Sequence, residues 1–66
     1  MTKWQYITAQ FITQGLGNES GATHLETTMN ELGQEGWELV SSQVYHNLEA
    51  DQDVLLLIFK RPLSGL

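Results

Sequence analysis

The run Val54-Leu55-Leu56-Leu57-Ile58-Phe59 is the longest unbroken apolar stretch of the chain. It constrains the fold more than any other feature. Its residues favour a strand, Val54 to Arg61, stopped by Pro62, which has no N–H to give to a ladder. A strand with one face in water alternates apolar and polar residues, whereas this one is apolar on both faces. It therefore belongs at the centre of a sheet, between two other strands. It is also far too short to cross a bilayer, which takes about 20 apolar residues in a helix.

Two segments can flank it. Lys3 to Ile12 is rich in Trp, Tyr, Ile, Thr and Phe and reads as a first strand. Trp37 to His46 alternates and reads as a second. Trp37, Leu39, Ser41, Gln43 and Tyr45 lie on one face of a regular strand, and Glu38, Val40, Ser42, Val44 and His46 on the other. Asn47 to Gln52 turns the chain between the second and third strands.

Between the first two strands, Thr13 to Gly21 collects Gly15, Gly17, Asn18, Ser20 and Gly21 and reads as a loop. A helix of about three turns follows, from Thr23 or His24 to Gly33 or Gln34. Thr23 and Glu26 match a capping box. Leu25, Met29 and Leu32 recur at i, i+4 and i+7 on one helical face. Gly36 is the residue suited to a left-handed helix end. The expected fold is α+β: a β-α-β-β unit whose three-stranded mixed sheet carries one helix on one face. The first strand lies antiparallel to the third and parallel to the second, and the helix makes the right-handed crossover.

Charge suggests a hairpin register. Pairing Glu38 with Lys60 sets opposite charges side by side. It also sets Val40 beside Ile58, Ser42 beside Leu56 and Val44 beside Val54. On the other face it sets Trp37 beside Arg61, a favourable cation–π arrangement, and Leu39 beside Phe59.

The segment Asn30-Glu31-Leu32-Gly33-Gln34-Glu35-Gly36-Trp37-Glu38-Leu39-Val40 resembles the hallmark of a family of small bacterial and phage proteins, domain of unknown function 4177. Trp4-Gln5-Tyr6 is similar to that family's opening strand, and Ile58-Phe59-Lys60-Arg61-Pro62 to its closing one. The resemblance implies a compact β-α-β-β fold. It implies no reaction, cofactor or catalytic residue.

With 66 residues there is room for one domain, 1–66, with 63–66 expected as a loose tail. Cysteine is absent, which excludes disulfides and thiolate metal sites. The start, Met1 to Tyr6, lacks the apolar run of a signal peptide, so the expected location is cytoplasmic. The net charge is −5, and the eight carboxylates all lie between Lys3 and the pair Lys60 and Arg61. Three basic residues cannot form the patch that nucleic acid needs. Anionic membranes are disfavoured for the same reason. A basic protein partner remains compatible with the charge.

Chemistry-bearing patterns are scarce. Gly33-Gln34-Glu35-Gly36 leaves a helix C-terminus, whereas phosphate loops enter a helix N-terminus. His24 and His46 sit in separate elements without ligand spacing, so no metal and no cofactor is expected. The serines lie in no nucleophile elbow. Glu35 and Glu38 flank Trp37 but read as solvated carboxylates, and no catalytic residue is assigned. Among the aromatics, Trp37 is assigned to the core, and Trp4 and Tyr45 to exposed or interfacial places.

One helix covers one face of three strands, so the other face needs a partner. Assigning the helix to the Trp37, Leu39, Leu57 and Phe59 side leaves Val40, Val44, Val54, Leu56 and Ile58 as the self-association face. The leading expectation is a non-enzymatic module that forms a homodimer or larger. Two alternatives stay open: an acidic phage-type inhibitor or decoy of a nucleic-acid-handling protein, and a small-ligand sensor with its site at a dimer seam.

Overall fold

The computed structural model describes residues 1–63. Strand β1 (Trp4–Ile12), a 3₁₀ turn (Thr13–Gly17), helix α1 (Glu19–Gln34) and strands β2 (Glu38–Asn47) and β3 (Gln52–Pro62) follow in order. The sheet order is β1-β3-β2. The doubly apolar strand is thus central, and every residue from Val54 to Arg61 is buried or half-buried. Both ladders are antiparallel. The sheet is therefore antiparallel rather than mixed, because the parallel strands β1 and β2 are kept apart by β3. The loose tail expected over 63–66 lies outside the described residues except for Leu63, whose N–H donates to the Lys3 carbonyl at 2.9 Å.

The helix starts earlier than its sequence suggests. Asn18 is the cap, its side-chain oxygen accepting from the Gly21 N–H at 2.7 Å. Thr23 and Glu26 lie inside the helix, so the capping box is not its start. The glycine-rich segment forms the 3₁₀ turn and the first helical turn instead of an open loop. Gly21 allows this: a Cβ there would collide with the Gly15 carbonyl. Leu25, Met29 and Leu32 share the half-buried face, joined by Gly21 and Thr28.

At its other end α1 closes with paired reverse-turn hydrogen bonds. The Gly36 N–H donates to the Gly33 carbonyl and the Trp37 N–H to the Leu32 carbonyl, both at 3.0 Å. This is the Schellman arrangement, and it requires a left-handed residue after the cap. Gly36 supplies it at φ 92°.

Two contacts place α1 on the Leu55, Leu57 and Phe59 side of the sheet. Phe11, opposite Leu55, meets the His24 ring edge-on with centroids 5.7 Å apart. Arg61, on the same face of β3, donates from Nη1 to the Glu35 carbonyl at 2.7 Å. The core is small. Only Val54, Leu57 and Phe59 are buried among the described residues, so most of the apolar surface keeps some contact with water.

The hairpin register agrees with expectation only at its start. Glu38 lies opposite Lys60 and Leu39 opposite Phe59. Val40 is then an extra residue, and Ser41 takes the place opposite Ile58. A β-bulge of this kind exchanges the two faces of the strand beyond it. Ser42 pairs with Leu57 rather than Leu56, and Val44 with Leu55 rather than Val54. Tyr45 pairs with Val54 and so lies on the face opposite to Leu39.

Candidate interaction surface

The open face of the sheet is built by two registers. From β1 come Trp4, Tyr6, Thr8, Gln10 and Ile12, and from β3 Val54, Leu56, Ile58 and Lys60. From β2, Ser41, Gln43 and Tyr45 complete it. Among the described residues no other element lies over this face.

The structure separates the five residues expected to form the self-association face. Leu56 and Ile58 lie on the open face and are half-buried. Val54 lies there too but is buried, flanked by Ile12 and Tyr45 in the adjoining strands. The Tyr45 hydroxyl reaches across β3 to Gln10 Oε1 at 3.2 Å, which explains that cover. Val40 is the bulge residue. Val44 is carried by the bulge to the helix side, where it remains 61% exposed because α1 does not reach over β2.

Aromatic residues take the place of the lost valines. Trp4 is 40% exposed, Tyr6 60% and Tyr45 40%, all on the open face. Trp4 and Tyr45 were legible as exposed aromatics. Their shared face was not, because it depends on a bulge that no residue type announces. The alternation of β1, with Ile7, Ala9 and Phe11 against Trp4, Tyr6 and Thr8, is the signal that would have assigned β1 residues to each face.

The two basic residues at the end of β3 point to opposite faces, and each covers an indole. Lys60 Nζ lies 4.2 Å from the Trp4 ring centroid, and the Arg61 guanidinium carbon 4.3 Å from that of Trp37. Trp37 is half-buried rather than a full member of the core. Although Glu38 and Lys60 are cross-strand neighbours, the ammonium is placed on Trp4 and makes no ion pair within 4.0 Å to Glu38.

At the far end of the hairpin, His46 Nδ1 lies 2.9 Å from Asp53 and Nε2 3.1 Å from Asp51. Asn47 Oδ1 accepts from the Glu49 and Ala50 N–H groups within the same turn. These contacts latch the turn in which Asp51 adopts φ 52°. His24 lies on α1 against Phe11, remote from His46 in sequence and set in a different element. Among the described residues no group of three or more His, Cys, Asp or Glu is arranged to hold a metal ion. Among them, too, no helix is long and apolar enough to cross a membrane. The carboxylates are spread over α1 and its C-cap Glu35, the start of β2, the hairpin turn and the second residue of β3.

The chain is extended for its size. Its radius of gyration is 13.8 Å, and its extents are 42 × 26 × 14 Å. A compact chain of this length has a radius of about 11 Å. Its accessible surface, 4975 Å², exceeds by about 700 Å² the value of about 4,250 Å² typical of a compact monomer of its mass.

The family model described as "Domain of unknown function (DUF4177)" matches residues 4–62. No match is found among curated proteins or among solved structures.

Proposed function

The chain belongs to the DUF4177 family, and from that premise we propose that it is a non-enzymatic interaction module that self-associates through the open face of its sheet. The observation that carries this reading is the exposure of Trp4, Tyr6 and Tyr45 around half-buried Leu56 and Ile58 on a face with no cover among the described residues. Contiguous apolar and aromatic surface of this kind usually marks an interaction site. Two such sheets stacked across a two-fold axis would bury it in both chains. The surface excess of about 700 Å² is close to the roughly 800 Å² per partner of a standard interface.

A decoy for a basic partner needs one continuous acidic surface. The scatter of the carboxylates over α1, its C-cap, the start of β2 and the hairpin end favours self-association over that reading. Size-exclusion chromatography with light scattering on the wild type, Ile58→Asp and Tyr6→Glu tests it. The wild type runs as a dimer or larger and both variants lose mass. Tyr6 is exposed on an outer strand, so Tyr6→Glu separates loss of association from loss of fold. A wild type that runs as a folded monomer at high micromolar concentration overturns the reading.

A further inference from the structure

β2 is the least covered strand. Nine of its ten residues are exposed, whereas Ile7, Ala9 and Phe11 on the helix side of β1 are half-buried. Leu39 and Val44 are exposed on the helix side and Tyr45 on the open side. The outer edge of β2 has no neighbouring strand in the sheet. Edges left free in this way are usually guarded by lysine, proline or inward charges. β2 has no lysine and no proline, and its one charge is Glu38 at its first position. The bulge at Val40 interrupts only that end, leaving Ser41 to Asn47 as a regular, uncharged template apart from His46.

We infer that Ser41–Asn47 pairs antiparallel with the same segment of a second copy of this chain, about a two-fold axis at Val44, joining two sheets into one of six strands. This contact is separate from the open face and stands whether or not that face associates. A second copy is the occupant the residues favour, because the segment is complementary to itself. With the axis perpendicular to the sheet, opposite residues share a face. Gln43 then meets the partner's Tyr45, Ser42 meets the partner's His46, and Val44 meets the partner's Val44. No like-charged pair is forced together by that register. Val44, stranded by the bulge beyond the reach of α1, gains apolar cover from its own counterpart.

The test is a mixed sample of isotope-labelled and unlabelled wild-type chains, read by filtered nuclear Overhauser spectroscopy, with light scattering on Val44→Lys. The expected result is intermolecular signals between Gln43 and Tyr45, slow exchange of the outer β2 amides, and a smaller mass for Val44→Lys with an unchanged circular dichroism spectrum. If Tyr6→Glu lowers the mass while Val44→Lys does not, the open face associates and the edge pairing is refuted. If Val44→Lys lowers the mass while Tyr6→Glu does not, the edge pairing holds and the open-face reading falls. Freely exchanging β2 amides without intermolecular signals overturn the edge pairing whatever the mass, and so leave the edge to a strand from another protein. The spectroscopic arm uses the wild type, so failure of the lysine variant to fold does not blunt it.

Discussion

The Arg61 guanidinium lies 4.3 Å from the ring centroid of Trp37 and donates to the carbonyl of Glu35, joining the end of α1 to the end of β3. The carbonyls at a helix C-terminus carry partial negative charge, which a cation there stabilises. Arg61→Ala removes the stacking, the charge-assisted hydrogen bond and the dipole interaction together. A loss of about 2 kcal/mol is expected, at half-buried positions where each contact is worth about 1 kcal/mol. Arg61→Lys restores only part of it, since an ammonium cannot stack and reach the carbonyl with the same planar fork. Urea denaturation followed by tryptophan fluorescence checks both, and equal stability of wild type and Arg61→Ala would remove the clamp from the account.

Gly36 carries the left-handed turn that lets Trp37 reverse onto Leu32. At φ 92° a branched side chain is strained. Gly36→Val is expected to cost more than about 1 kcal/mol, although nothing crowds the site and only the backbone objects. Chemical denaturation measures it, and a neutral result would mean that the helix end is not held at positive φ.

Two helical glycines should respond in opposite directions. A Cβ at Gly21 runs into the Gly15 backbone, whereas one at Gly33 meets nothing within 4 Å. Gly33→Ala should stabilise by about 0.5–1 kcal/mol through better helix propensity. Gly21→Ala should destabilise by about 1–3 kcal/mol, because backbone rather than a flexible side chain must move. Thermal unfolding by circular dichroism compares them, and the same sign for both would show that the 3₁₀ turn does not pack on the helix start.

Val54 to Phe59 made the central strand legible because only a strand covered by neighbours on both sides tolerates apolar residues on both faces. Gly36 and the Trp37–Arg61 contact were legible for similarly local reasons. The helix start was not. Thr23 and Glu26 satisfy a capping pattern, but Asn18 can cap five residues earlier because Gly21 admits the 3₁₀ turn, a tertiary contact without a local signature. The open face of the sheet was half legible. Leu56 and Ile58 follow from β3 alone, while Val44 and Tyr45 exchange faces through the bulge at Val40. A single extra residue reverses every later side chain in a strand, and nothing in Leu39-Val40-Ser41-Ser42 marks where it falls.

Self-association, as proposed, means that this thin, three-stranded sheet does not stand alone in solution. Sedimentation equilibrium of the wild type across a wide concentration range tests it most directly. The expected weight-average mass rises from one 7.5 kDa chain to twice that value or more, with the rise abolished or reduced in Tyr6→Glu. A folded wild type that keeps the mass of one chain at every concentration, identical to Tyr6→Glu, contradicts it.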